Sequence, residues 1–432
     1  VLARLDLRGV AGDLSAHLPR PQVDADEPVA VVRDLIAAVR SGGDATLVEL
    51  TERFDGVRLE TVVVPPDELH AALGRIPAEL RDALEVAARR IAAYHGTQLH
   101  DPVTYAEGGA TIRSFDVPVA RAGCYVPGGL APLASTVLMT AVPAKVAGVG
   151  EVVVCVPPSK ETGRVDDAIL AAAAVAGVDE LYAVGGAQAI AAMAYGTESI
   201  RPVDVICGPG NKYVAIAKRE VASTVGVAAA FAGPSEVVVV ADDSVDPRFA
   251  AVDVIVQAEH GPDGLAWLIC WDDAVADRVV AAIDELVAAA PRREQITSTL
   301  ASSGYAVVVD SAERAMEVAN LIAPEHLELM VADAEALAAS VRNAGATFLG
   351  PWSPASMGDY VAGPSHVLPT HGSARFASAL TVSDFTRHHH VVTLDRAGFD
   401  ELAHHVEVLA EAEGLDAHAE SVRLRVAAPR ED

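Results

Sequence analysis

The chain has 432 residues, 51% hydrophobic and 21% charged, with a mean hydropathy of +0.29; a mostly disordered polymer is excluded. Only 4% of residues are aromatic, so the cores must be built from Ala, Val, Leu and Ile. Sixty acidic residues against 32 basic ones leave a formal charge of -28, a field that repels phosphate backbones and anionic lipid and argues against nucleic-acid and membrane-surface roles.

Length suggests about two to four domains. No run reaches the ~18 apolar residues of a membrane span. The N-terminal VLARLDLRGVAGDL carries charge throughout and lacks a signal-peptide core. Cys124, Cys155, Cys207 and Cys270 stand apart in apolar runs with no CxxC spacing, so neither a disulfide framework nor a cysteine zinc site is expected. The expectation is a soluble cytoplasmic protein.

In chain order, 28–95 reads as helical: Pro28 opens a helix, Gly42-Gly43 closes it and Asp44 caps the next. From about 112, short β-branched runs alternate with Ala-rich helical stretches. Strands are expected at 112–117, 119–125, 151–156, 180–184, 203–207 and 235–241, then at 265–270, 305–309 and 346–349. Helices fill the gaps, for example 166–176, 211–221, 246–259 and 311–322. This alternation implies an α/β protein with parallel sheets covered on both faces. Two Gly/Pro-rich joints, VPGGLAPLAS (126–135) and AAFAGPS (229–235), bracket a block with about four strands of its own. One α/β domain inserted in another, both joints opening on a common cleft, is the economical reading. The domains expected are 1–125 with 236–375, an inserted 126–235, and a tail 376–432. In the tail, Leu402, Val406 and Leu409 mark a helix ended by Gly414, and Asp416 is placed to cap a last one.

The dinucleotide fingerprint GxGxxG is missing where it would be needed, and no GKS or GKT occurs. In VDVICGPGNKYVAIAKRE, however, a strand meets a Gly-Pro-Gly turn and Asn211 begins a helix, a place where free amides favour an anion. AVGGAQAIAAMAYG repeats the plan with Gly185-Gly186 and Gln188. The pair suggests a nucleotide site, against the alternative of ordinary βα turns. VIVQAEHG sets Gln257 and His260 three apart on one side of a helix. With Asp359, among turn residues, and His418, beyond Gly414, they would make a four-ligand N/O site suited to zinc, although each is unconvincing singly. IAPEHLEL holds Glu325 and His326, a carboxylate able to deprotonate water and an imidazole able to take and return an alcohol proton; first-turn helix residues are the plainer alternative. His388 to His390 and His404-His405 diverge on a strand and a helix and are read as solvated. Cys124, with no base beside it, is read as a small strand residue rather than a nucleophile.

Taken together, CYVPGGLAPLASTVLM, GGAQAIAAMAYGT, ICGPGNKYVAIAKREV, AGPSEVVVVAD, QAEHG, APEHLEL, GDYVAGPSHVLPT and EGLDAHAESVRLR resemble, in order and over nearly the whole chain, the histidinol dehydrogenase family. The resemblance implies two incomplete Rossmann-like domains. It also implies NAD-dependent oxidation of L-histidinol through the aldehyde to L-histidine, and a homodimer with an intertwined tail. Residue by residue it implies Gln257, His260, Asp359 and His418 on zinc, and Glu325 and His326 as the proton-handling pair. Tyr125, Gln188 and Asn211 would contact NAD. Ser235, His366 and Glu413 would contact the substrate, to which Gln257, His260, His326, Asp359 and His418 would also lie close. Glu413 and His418 would complete the partner subunit's site. The alternatives are a paralogous zinc-dependent dehydrogenase of another small alcohol, a zinc hydrolase, and a two-lobed binding protein.

Overall fold

Strands form where β-branched runs can be buried on both faces. The computed structural model describes residues 2–19, 28–128, 131–228, 235–259 and 264–429. In chain order its strands begin with β1 (Ala3–Asp6), β2 (Val63–Val64), β3 (Val103–Glu107), β4 (Ala110–Pro118) and β5 (Arg121–Tyr125). Next come β6 (Glu151–Val156), β7 (Glu180–Ala183), β8 (Val205–Cys207), β9 (Gly226–Val227) and β10 (Glu236–Ala241). The last are β11 (Leu265–Cys270), β12 (Gly304–Val308), β13 (His326–Met330), β14 (Ala346–Leu349) and β15 (Thr386–Leu394).

The chain divides into two units, Val1–Gln98 with Val119–Phe385, and Leu99–Pro118 with Thr386–Asp432. The first holds two six-stranded sheets, ordered β1-β12-β11-β10-β13-β14 and β2-β7-β6-β5-β8-β9. All pairs are parallel except β2 with β7. Leaving aside the edge strands β1 and β2, both sheets share one topology: the earliest strand is central, the next two lie to one side of it and the last two to the other. That is the arrangement of half a doubly wound dinucleotide fold. The period-2 rule is explicit in the packing. Val152, Val154 and Val156 face one helical layer while Val153 and Cys155 face the other. In the other sheet Val237 and Val239 part in the same way from Val238 and Val240.

The second unit carries an antiparallel sheet, β15-β4-β3, and the helices Arg396–Ala412 and Asp416–Val426.

Several expectations are corrected. β5 is the central strand of the second sheet, so a boundary at 125/126 would cut that sheet; the strand belongs with the residues that follow it because β6 and β8 flank it. The tail begins at 386 rather than 376, and it draws in 99–118 because β15 pairs along the whole of β4. The residues after Pro324 form a strand, not a helix: Ala323 ends the preceding helix at φ 54, and β13 fills the place between β10 and β14. Asp416 is the first residue of the last helix and not its cap. The break at Gly42-Gly43 is a single non-helical residue, Gly43, inside the run Val29–Asp55. Most of the joint 229–235 lies outside the described residues.

Candidate functional site

Residues from four elements meet at the first sheet. The helix Pro247–Ala258 is started by Asp246, whose side chain accepts from the Arg248 amide, with Pro247 at its first position; its last turn carries Gln257, 1% exposed. β13 begins at His326, 3% exposed, directly after Glu325, 7% exposed. The short helix Ala355–Tyr360 carries Asp359. It lies close to β14 because Gly358 has no Cβ; an added one would sit 2.6 Å from the Phe348 ring. In this setting His326 Nε2 is 3.3 Å from Asp359 Oδ1, His326 Nδ1 is 3.2 Å from Gln257 Nε2, and Glu325 Oε2 is 3.8 Å from His326 Nδ1. The Glu236 amide donates to Glu325 Oε2 at 3.0 Å, and the Ser235 side chain is hydrogen-bonded to the same carboxyl. His366 Nδ1 lies 2.9 Å from the Asp359 carbonyl, with its Nε2 3.3 Å from Thr136 Oγ1 on the helix Ala134–Val146.

The electrostatics follow from burial. Burial pushes the Glu325 carboxyl well above the ordinary carboxylate range, against the pull of His326. Burial alone would lower His326, but the Glu325 and Asp359 carboxylates outweigh it and hold the imidazole above its usual value. A proton held between two such groups is suited to acid–base work.

The donor set fits a zinc ion. Gln257 Oε1 is buried with no hydrogen-bond partner, an orphaned acceptor that a cation would satisfy. Asp359 supplies a carboxylate oxygen at the other nitrogen of the same imidazole. His260 lies outside the described residues, and His418 lies in the second unit, on the exposed helix Asp416–Val426. Glu413, exposed at the end of the helix Arg396–Ala412, belongs to that unit too. Among the described residues no group of three or more His, Cys, Asp or Glu side chains is gathered as a metal cage.

The second sheet gathers the other residues at the carboxyl ends of its strands. Tyr125, buried at the end of β5, accepts the Gly186 amide on its hydroxyl at 3.1 Å. Gly186 has φ 66, and a Cβ there would meet Gln188 Oε1 at 2.6 Å, so Gln188 lies directly over the turn. Gly208 has φ 106, and a Cβ there would strike the Tyr125 carbonyl at 2.1 Å, which brings the Gly-Pro-Gly turn against β5. Tyr125, Gln188 and the 208–211 turn therefore surround the point where the strand order reverses, between β5 and β8, the usual ligand crevice of such sheets. Asn211 differs from expectation in one respect. Its side chain caps the helix Lys212–Val221, accepting from the Tyr213 and Val214 amides at 3.1 and 3.2 Å, so those two donors are already engaged.

Sequence reasoning missed Glu236, Thr136, Asp253 and Glu328. Glu236 is 5% exposed, and burial with a push from Glu325 raises its carboxyl to about 8, against the pull of the His371 and Gly372 amides. It also lines a cavity of about 260 Å³ with Trp267, Ile322 and Arg375. The signal available was an acid inside the apolar run EVVVVA. The set-aside residues look as expected: His388, His389 and His390 are exposed on β15, and Cys124 is fully buried with its Sγ 3.7 Å from Cys207 Sγ.

A family model described as histidinol dehydrogenase matches residues 18–426. The histidinol dehydrogenase of Thermobifida fusca is 47% identical over 435 residues, covering 100% of this chain and 99% of the relative. One from a Synechococcus strain is 49% identical over 399 residues, covering 92% of each. The crystal structure of histidinol dehydrogenase from Elizabethkingia anophelis superposes with a TM-score of 0.93 at 33% identity, covering 98% of both chains. Two dinucleotide-type sheets, one with a buried Glu–His pair, and relatives of this likeness define an oxidoreductase. The chain belongs to the histidinol dehydrogenase family.

Proposed function

We propose that the chain oxidises L-histidinol through L-histidinaldehyde to L-histidine, the last step of histidine biosynthesis, reducing two NAD per turnover. The observation that carries this reading is the meeting of Gln257 and Asp359 on the two nitrogens of His326, with an orphaned amide oxygen on Gln257 and the Glu325 carboxylate 3.8 Å from the ring. Gln257, His260, Asp359 and His418 would hold zinc, which supplies a Lewis-acidic anchor for the substrate's imidazole and amine nitrogens, and NAD supplies the hydride acceptor. Tyr125, Gln188 and Asn211 would line the NAD crevice. Ser235, His366 and Glu413 would orient the substrate, Glu413 and His418 coming from the partner subunit of a homodimer. The discontinuous domain arrangement, the crossing tail and a cytoplasmic setting belong to the same proposal.

The protein's own groups divide the proton work. His326 Nδ1 lies 3.3 Å from the Glu236 carbonyl and Nε2 lies 3.3 Å from Asp359 Oδ1; in the reaction Nδ1 would keep its proton toward that carbonyl while Nε2 takes the alcohol proton in the first oxidation. Glu325, held by the Glu236 amide, deprotonates the water that adds to the aldehyde. As Glu325 takes the water proton, His326 Nε2 returns the first proton to the former aldehyde oxygen, which completes the hydrate, and Nε2 is then free to take the hydrate's proton in the second oxidation. Burial of both side chains keeps bulk water out and retains the aldehyde between the two steps.

Anaerobic turnover with measured stoichiometry tests the reading. Two NADH per histidine, lost on treatment with a chelator and restored by zinc, is the expected outcome. Histidinol turned over without NADH formation would overturn it in favour of hydrolytic chemistry, and full activity in a metal-free protein would exclude the anchor.

A further inference from the structure

Two carboxyl groups that the reaction does not use lie beneath the site. Glu328 is 0% exposed on β13, two residues beyond His326 and therefore on the same face of the strand. Asp253 is 6% exposed on the helix Pro247–Ala258, one turn before Gln257 and therefore on the same face of that helix. Glu328 Oε1 accepts the backbone amide of Ala355 at 3.0 Å, at the first residue of the short helix whose fifth residue is Asp359. The Glu328 and Asp253 side chains are hydrogen-bonded to each other, yet Glu328 Oε2 meets no N–H or O–H donor. Two ionised carboxylates offer only acceptors, and their charges repel when buried. The contact closes when one proton lies between them. Burial and the neighbouring carboxylate both push Glu328 toward holding it.

We propose that Glu328 and Asp253 are positioning residues: a carboxyl–carboxylate pair sharing one proton, which ties β13, the helix Pro247–Ala258 and the start of the helix Ala355–Tyr360 into the placement that brings His326, Gln257 and Asp359 together. Each of the three elements carries one site residue, and each is held by one contact of the pair. The pair touches no reacting atom in this assignment. It acts through the orientation of the residues above it, as outer groups do around metal ligands. The inference rests on the proposed roles of Gln257, Asp359 and His326.

The full-length protein is compared as wild type, Glu328→Gln, Glu328→Leu, Asp253→Asn and Gln257→Ala. In Glu328→Gln the amide oxygen still accepts from Ala355 and its NH2 donates to Asp253, so the tie survives without the shared proton. The metal-free wild type minus Glu328→Gln infrared difference spectrum at neutral pH is expected to contain the carbonyl band of a protonated buried carboxylic acid. Zinc affinity, measured by chelator competition, is expected to stay near wild type in Glu328→Gln and Asp253→Asn and to fall about 10–100-fold in Glu328→Leu. In Glu328→Leu the histidinol KM rises with it, while rescue by Gln separates positioning from bulk folding. Absence of the infrared band overturns the shared proton whether or not Glu328→Leu folds. Wild-type zinc affinity in Glu328→Leu, with Gln257→Ala weakened, overturns the positioning role. If Gln257→Ala binds zinc as tightly as wild type, it is the metal assignment that fails, and the infrared band still decides the pair.

Discussion

The backbone amide of Glu236 donates to Glu325 Oε2 at 3.0 Å, and the carbonyl of the same residue lies 3.3 Å from His326 Nδ1. One peptide-bonded residue at the start of β10 therefore holds both members of the proposed proton-handling pair. Because this support comes from the main chain, substitution of either side chain leaves it in place, and the chemical role of each can be tested apart from its position.

Glu325→Gln keeps an oxygen for the Glu236 amide but cannot take a proton from water. The first oxidation should stay near wild type while the second slows by about 10²–10⁴-fold, the usual scale of a lost general base. Rapid-quench analysis should then find one NADH per histidinol and trapped aldehyde. Equal loss of both steps would remove Glu325 from the water-activating role.

Burial raises the Glu325 carboxyl, and a general base works only when ionised. Oxidation starting from the aldehyde should therefore weaken as pH falls toward and below neutrality, well above the ~4.3 of an ordinary glutamate. Single-turnover rates across this range provide the check. A profile flat down to about pH 5 would exclude Glu325 as the base.

Gly345 lies against the carbonyl of Glu325, where an added Cβ would sit 2.6 Å from the oxygen and 3.1 Å from Pro369. Gly345→Ala should displace Glu325, lowering turnover, and should cost about 1–3 kcal/mol of stability through overpacking. Urea unfolding and steady-state kinetics on the same sample measure both. An alanine variant equal to wild type in each would mean that the β13–β14 region yields without moving Glu325.

Lys218 is fully buried, its Nζ donating to the Gly208 carbonyl, and burial lowers it to about 8. The unfolded chain keeps its Lys218 proton up to about 10.4, so between about pH 8 and 10.4 the unfolded state binds more protons and this residue's contribution to stability rises with pH. Below pH 8 both states are charged and the burial penalty, on the order of 3 kcal/mol from the size of the shift, is fully present. The stability of wild type relative to Lys218→Met should therefore increase across that window. Denaturant titrations at its two ends measure this, and a constant gap would mean that Lys218 titrates normally.

Cys124 is fully buried with its Sγ 3.7 Å from Cys207 Sγ, the environment of a small packed strand residue, so Cys124→Ala should retain activity at a modest cost in stability. A folded but inactive variant would point instead to a thiohemiacetal route.

Much of the local structure was legible because its causes are local. The Val runs of β6 and β10 and the glycine turns at 185–186 and 208–210 each depend on residues within a few positions of one another. The same holds for Asp246-Pro247 opening a helix. The motif strings identified the family for the same reason: they are contiguous. Where local cues conflicted with pairing, pairing won. Pro324-Glu325 has the look of a helix start, yet the flanking strands β10 and β14 make the next residues a strand.

By itself, then, the order of residues determined the alternation of strands and helices, the two glycine turns, the family and a short roster of chemically able side chains. Only the tertiary structure decided which of them meet. Gln257, Glu325 and Asp359 are separated by dozens of residues and converge through sheet order and helix packing, not through spacing. It alone revealed Glu236 and the Glu328–Asp253 pair, because an acid in a sequence reads as solvent-facing until burial removes the water that would have satisfied it.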